Sequence, residues 1–527
     1  MRRGAGIPAR SSDVRRPDGR DSPAFLPSTA ALLCEGGDQR IRLDPLTGLN
    51  RYGCGPTPDP DLLAFGSSTA STISVHAWEA AEALRARLID ALAASSPSDV
   101  YEREAVRIRG ELVRLCGLER LPGLEAALAA SGTDAHMLVA QLIGAGDRRP
   151  VRIILGEAGE TGSGVPAALG GRCYGASTPC GTTTEPGAAI SEATAAELVH
   201  VPARDPDGRL RDCAAVDAEV RDEVARAMDE GRRVLLVVTD ASKTGLISPS
   251  AACARALDRQ YAGRIDVLVD ACQLRLAPST LRAYAQDGWM IAVTGSKFLT
   301  GPAFSGALFF PGAIADRLRD RLVSPRLSAF SARGDWPRGW VIRARLDARA
   351  NFGLLLRWEA ALEELRRFRD VPESAVDSFL GQAADLVGEI LSVSPNLRAL
   401  PGRPMLRAGG DWDRQPSIHP FMLTFGGVPL NGAQTARLYD LLRKDLGVDD
   451  EASATLRGAA SQRMEVGQPV LCGDGQHAVS ALRLCISARH LAEAHRDSLR
   501  RCEILEQITL ILHKADWLCA EVAIGRL

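Results

Sequence analysis

The runs Val267-Leu268-Val269-Asp270-Ala271-Cys272-Gln273 and Trp289-Met290-Ile291-Ala292-Val293-Thr294-Gly295-Ser296-Lys297 decide how this chain is read. Each begins as a short apolar, β-branched stretch and ends in small or polar residues, as a buried strand opening onto a loop should. An acid, Asp270, stands at one strand end, and an amine, Lys297, lies just past the other. The amine stands out because the 527-residue chain has only the lysines Lys243, Lys297, Lys444 and Lys514 among its 63 basic residues. Arginine cannot act as a neutral amine nucleophile near neutral pH. A lysine that forms a Schiff base must lose its proton in a pocket that permits it. Acid and amine together point to a cofactor held between a carboxylate and an amino group.

Outward from these runs the pattern alternates. Strands are expected at 151–155, 234–239, 265–269, 290–294 and 305–310, with helices at 216–231, 250–262 and 278–287. Such alternation predicts an α/β fold whose large domain has a mostly parallel, doubly wound sheet with helices on both faces. Ligands of these sheets bind beyond the carboxyl ends of the strands. Ser131-Gly132-Thr133-Asp134 ahead of an apolar stretch at 135–143 reads as a capped helix start. Helical periodicity over 71–94 and 101–116 predicts an N-terminal helical arm. After a connection at 324–345, helices at 352–369 and 375–391, strands at 418–425 and 481–487, and a helical C-terminus predict a smaller α+β domain. The expected division is a mobile Arg/Pro-rich extension over 1–45, the arm over 46–118, the large domain over 119–335 and the small domain over 336–527.

Composition narrows the classes. A formal net charge of -2 makes no whole-chain electrostatic case for nucleic acid. No apolar run approaches the roughly 18–20 residues that cross a bilayer, and the first residues lack the apolar core of a signal peptide. The 12 cysteines contain no CxxC pair and the 8 histidines no HxxxH or HxH pair. Reduced thiols in a cytoplasmic protein without a dedicated metal site are therefore expected.

From about residue 50 to the C-terminus the chain resembles the aspartate-aminotransferase superfamily of pyridoxal-phosphate enzymes (fold type I), most nearly its class V branch of aminotransferases and cysteine desulfurases. The strand-Asp270-Ala-Cys-Gln273 and Thr-Gly-Ser-Lys297 segments carry the resemblance. It implies pyridoxal 5'-phosphate (PLP) as cofactor, with Lys297 as the Schiff-base lysine and Asp270 keeping the pyridine nitrogen protonated so that the ring acts as an electron sink. Ser131, Gly132 and Thr133 match the phosphate-binding turn, where a helix N-terminus offers amides and a favourable dipole. Ser296 matches a further phosphate hydroxyl, and Gln273 the residue that reaches the phenolic oxygen. Arg483 matches the arginine that holds the substrate α-carboxylate, a task suited to a planar fork. The resemblance also implies a homodimer acting on an amino-acid substrate.

Other segments leave alternatives open. Gly162-x-Gly164-x-x-Ala167 formally fits a dinucleotide fingerprint, yet it begins late after its strand and has Pro166 in the would-be helix. In chain order Glu160 to Gly164 falls where class V enzymes place a ring-stacking histidine. None is present, so the stacking residue stays open. Lys243, in Ser242-Lys243-Thr244-Gly245, competes with Lys297 but precedes Asp270, whereas the family order is acid then lysine. No cysteine lies between Lys297 and Cys472, and Cys472 follows Gly467-Gln468-Pro469 where a desulfurase nucleophile would precede it. That disfavours a desulfurase. A group II decarboxylase is disfavoured because no histidine precedes Lys297. Aminotransfer is the first expectation. A lyase acting by β-elimination or by C–S or C–C cleavage is the nearest rival, ahead of a dinucleotide enzyme or a non-catalytic relative of the fold.

Overall fold

The structure, a computed structural model, describes residues 26–145, 149–191, 196–407, 409, 412–447 and 454–527. The strands are β1 (Leu62–Phe65), β2 (Glu125–Ala129), β3 (Val151–Leu155), β4 (Glu197–His200), β5 (Arg233–Asp240), β6 (Ile247–Ser248) and β7 (Ile265–Ala271). They continue with β8 (Met290–Thr294), β9 (Gly306–Phe310), β10 (Leu397–Ala399), β11 (Ile418–Phe425), β12 (Val428–Pro429), β13 (Arg463–Cys472) and β14 (Val479–Cys485).

The larger sheet has the order β2-β9-β8-β7-β5-β3-β4, with β6 added to β5. β4, β3, β5, β7 and β8 are parallel to their neighbours, whereas β9 runs antiparallel to both β8 and β2. β2 therefore points the same way as β8, and the carboxyl ends of β2, β3, β5, β7 and β8 share one edge. β5 is buried throughout. Val234, Leu236 and Val238 enter one apolar core, and Leu235 and Val237 enter the core on the opposite face. That alternation makes a strand covered on both faces a continuous apolar run. The α/β architecture is as expected, but three strands of this sheet escaped the periodicity, among them the two-residue β6. β2 is Glu-Ala-Ala-Leu-Ala, without a β-branched residue, and β4 is a four-residue edge strand.

The smaller sheet has the order β1-β13-β14-β11-β10, with β12 paired to β11. β1 pairs parallel with β13, so a segment read as part of the helical arm supplies an edge of the C-terminal sheet. The helices Val75–Leu92 and Pro97–Leu115 pack against Phe352–Arg369.

The expected mobile extension needs correcting for residues 26–45; its first 25 residues lie outside the described part. Leu26, Leu32, Leu33 and Ile41 are buried. The guanidinium of Arg357, itself fully buried, donates to the carbonyls of Leu32, Leu33, Glu35 and Gly36 and to that of Phe304. One arginine thereby gathers the carbonyls of this segment, beside the Glu35 amide on Leu32 O and the Asn351 side chain on Gly36 O.

Candidate active site

Lys297, Asp270, Gln273, Ser131, Gly132, Thr133, Ser296 and Arg483 all line one cavity of about 290 Å³. The sheet edge gathers most of them. Ser131 follows β2, Glu160 follows β3, Lys243 follows β5, Asp270 ends β7, and Ser296 and Lys297 follow β8. The smaller sheet closes the other side with Ser68, Thr69, Gln468 and Arg483.

Asp270 accepts a hydrogen bond from the Cys272 amide at 3.1 Å, and its Oδ2 lies 3.3 Å from His136 Nε2. His136 is buried on the helix Gly132–Gly144, with Nδ1 2.7 Å from the Gly132 carbonyl. Burial alone would raise the Asp270 pKa, but His136, with Lys297 and the Cys272 hydrogen bond, holds the carboxyl below the usual carboxylate range. In return Asp270 overcomes the burial that would lower the His136 pKa and raises it. The pair is a charge-assisted contact that keeps an anion at the cavity floor. Together with Cys272 these side chains bring three ligand-type atoms within 4.8 Å of one another. Burial and Asp270 hold the Cys272 thiol far above its ordinary pKa, which disfavours the thiolate a metal would need. Sequence reading missed His136; a lone histidine four residues after the glycine that opens an apolar helix was the available signal.

At the other end of the cavity Ser131 caps the helix Gly132–Gly144, accepting from the Asp134 amide at 3.2 Å and donating to Asp134 Oδ2 at 2.6 Å. A Cβ at Gly132 would stand 2.7 Å from Cys272 Sγ and 3.2 Å from Thr294 Cγ2, so glycine lets this helix begin against the ends of β7 and β8. Arg40 reaches the same turn from the N-terminal segment, with Nη1 3.5 Å from Thr133 Oγ1. Asp38 grips its guanidinium from behind, and the rings of Tyr174 and Phe304 flank it at 5.4 and 4.9 Å. Ser296 Oγ sits at the rim, 3.5 Å from Thr294 Oγ1.

The lysine loop is tightly folded. Gly295 donates to Ser305 O at 2.8 Å, Phe298 to Gln273 O at 3.4 Å and Thr300 to Lys297 O at 2.8 Å. Lys297 is half-buried, and among the described residues its Nζ makes no hydrogen bond or ion pair. Among the described residues four non-glycines have a left-handed backbone, Ala241, Leu274, Thr300 and Phe304, with φ of 57°, 51°, 56° and 73°. Ala241 and Phe304 line the cavity, Leu274 adjoins Gln273, and Thr300 closes the lysine loop. Such backbone costs of order 1–3 kcal/mol per residue and is held only where the surroundings over-determine it. Gln273 is more committed than expected: its Nε2 donates to Ser68 O at 3.0 Å and its Oε1 accepts from Arg275 Nε at 3.3 Å.

Arg483 is 1% exposed, yet among the described residues no acid pairs with it. Nε donates to Ser68 Oγ at 3.2 Å and Nη2 to Thr69 Oγ1 at 2.9 Å, while Nη1 is buried without a partner. Burial lowers its pKa. A Cβ at Gly467 would lie 2.9 Å from the Arg483 guanidinium and 2.6 Å from Ser68 Oγ. The bulge between Gly467 and Val470, where β13 slips against β14, thus makes room for this side chain.

The remaining wall is a turn fastened from below. Buried Glu160 accepts from Arg204 Nε at 2.7 Å and from the hydroxyls of Ser242 and Thr244. Lys243 N donates to Glu160 O at 2.9 Å, and Lys243 Nζ to Gly159 O at 3.0 Å. The segment read as a dinucleotide fingerprint leads only into the five-residue helix Val165–Leu169, and a Cβ at Gly162 would meet Thr133 Oγ1 at 3.5 Å. It covers the cradle turn instead of opening a long helix of its own. Cys472 is buried in β13 with its thiol pushed up to about 12 by burial.

No protein-family model matches the chain, and no curated protein matches it by sequence. Solved structures do. C-DES, in a lysine-to-alanine variant with glycine covalently linked to its PLP cofactor, aligns with a TM-score of 0.54 at 16% identity, covering 86% of this chain and 99% of that one. The glutamate decarboxylase domain of diaminobutyrate-pyruvate transaminase and L-2,4-diaminobutyrate decarboxylase from Vibrio parahaemolyticus aligns with a TM-score of 0.51 at 14% identity, covering 88% and 81%. The chain has the fold of these proteins, the fold type I architecture that the resemblance implied. Among the described residues no helix is long and apolar enough to cross a membrane.

Proposed function

We propose that the chain is a PLP-dependent enzyme that acts on the α-amino group of an amino acid, and that its reaction is aminotransfer. One observation carries this reading: the cavity holds an anion, Asp270, backed by His136, and a buried, acid-free guanidinium, Arg483, with the amine of Lys297 opening into the same space.

The residues present fit the cofactor. Asp270 would hold a proton at the pyridine nitrogen, and Ser131, Gly132, Thr133 and Ser296 would hold the phosphate at a helix N-terminus. Bound there, PLP supplies an electrophilic carbonyl and an electron sink. The orphaned Nη1 of Arg483 suits a carboxylate oxygen, since an unpaired buried guanidinium is costly until an anion reaches it. Fixing the carboxylate orients the substrate α-carbon toward Lys297, whose Nζ is the amine placed to take and return its proton. Transfer needs no group beyond these. The buried, high-pKa Cys472 supports the reading against a desulfurase. A twofold homodimer belongs to this reading and is checked by light scattering.

The test is spectroscopic. Purified protein given PLP should show visible absorption that borohydride reduction removes and that Lys297→Ala lacks. A colourless protein that takes up no PLP overturns the proposal. With a panel of amino acids, conversion of the cofactor to its amine form supports transfer. Release of ammonia and a 2-oxo acid without that conversion assigns the lyase reaction instead.

A further inference from the structure

We propose that Lys243 and Arg483 together select an amino acid carrying a second anionic group, a carboxylate, sulfonate or phosphate on its side chain, with Arg483 taking the α-carboxylate and Lys243 the distal anion. The inference rests on the PLP-enzyme reading of this cavity.

The charge balance of the cavity carries it. Five lysine and arginine side chains line the space, Arg40, Arg51, Lys243, Lys297 and Arg483, besides His136, against two acids, Asp270 and Glu160. Neither acid is available to Lys243. Asp270 faces His136, and Glu160 is taken up by Arg204 and by the hydroxyls of Ser242 and Thr244. Arg40 is neutralised by Asp38 and reaches the phosphate turn. Lys297 is committed to the cofactor, and Arg483 to one carboxylate. Arg51 is exposed to solvent. That leaves Lys243, with an ammonium whose one hydrogen bond among the described residues is to a neutral carbonyl, that of Gly159.

The turn holding Lys243 is built to keep it there. Glu160 and Arg204 form a fully buried ion pair beneath it, and Ser242, Lys243 and Thr244 all bond to Glu160 through side chain or backbone. A buried pair of this kind adds little net stability but fixes geometry. Lys243 is held within electrostatic reach of Arg483 and Lys297, and burial together with those two cations lowers its pKa to about 8. A site whose cations outnumber its acids, with Glu160 offsetting Lys243 only in part, favours a ligand that brings two negative charges. A neutral side chain would leave the ammonium uncompensated in a half-closed cavity.

The experiment titrates the PLP-loaded full chain with pairs of near-isosteric amino acids and follows the visible spectrum: aspartate against asparagine, glutamate against glutamine, cysteate and O-phosphoserine against serine. At least one anionic member should bind ten-fold or more tightly than its neutral partner. Lys243→Gln should abolish that preference while leaving cofactor uptake intact, and Lys243→Arg should restore most of it. The arms distinguish carboxylate, sulfonate and phosphate. Loaded wild-type protein that shows no anionic preference, or a Lys243→Gln protein that keeps it, overturns the inference and leaves the PLP reading standing. Wild-type protein that takes up no PLP overturns both.

Discussion

His136 Nε2 lies 3.3 Å from Asp270 Oδ2, joining the first helix after β2 to the end of β7 beneath the cavity. The histidine supplies positive charge that offsets the burial of the carboxylate, so Asp270 stays ionised where desolvation would protonate it. Replacing His136 by Phe removes the cation facing a buried carboxylate, and should raise the Asp270 pKa and weaken PLP binding about ten- to hundred-fold. Absorbance titration with PLP measures this. Unchanged affinity would mean that Asp270 does not depend on its partner.

Gly467→Ala puts a methyl group 2.9 Å from the Arg483 guanidinium. The side chain must move, so amino-acid affinity should fall about ten-fold or more while PLP uptake stays near wild type. Equal affinities in variant and wild type would take Arg483 out of the substrate site.

Arg357→Leu strips hydrogen bonds from the carbonyls of Leu32, Leu33, Glu35, Gly36 and Phe304. Leu32 O keeps the Glu35 amide and Gly36 O the Asn351 side chain, so the lost donors at the others should cost about 1–3 kcal/mol. Limited proteolysis should then cut within residues 26–45, and PLP affinity should drop because Arg40 lies on that segment. Calorimetry and a protease time course test both.

Glu465 in β13 is buried beside Arg443, at 3.2 Å, and Cys54. Burial raises its pKa from 4.5 to about 7 against the opposing pull of Arg443. The folded state therefore holds a proton between roughly pH 4.5 and 7 that the unfolded chain has released, so stability falls as pH rises through that window. The slope from this one group is at most about 1.4 kcal/mol per pH unit. Urea unfolding from pH 5 to 8 should show a steeper loss for wild type than for Glu465→Gln; parallel slopes would contradict the assignment.

Much of this was legible in one dimension. Asp270 and Lys297 end or follow strands whose apolar runs are long enough to recognise, and the order of strands and helices specified a parallel sheet with its ligand edge. Ser131-Gly132-Thr133 announced a helix start because capping is local chemistry. β2 and β4 were hidden because strand pairing, not intrinsic preference, makes strands of an alanine-rich and a four-residue segment. Residues 26–45 read as an extension because they continue the Arg/Pro-rich stretch that precedes them, while the group that holds them, Arg357, lies more than three hundred residues away.

The carboxylate, the amine, the helix-capping turn and their order can be read along the chain, since each depends on neighbours within a few residues. The groups that stand behind them emerge with the packed fold: His136 against Asp270, Arg40 at the cradle, Gly467 making room for Arg483, and Glu160 with Arg204 under Lys243. Those pairings come from packing between distant segments, where burial sets charge and vacancy, and no local pattern encodes the distance between two side chains brought together by a sheet.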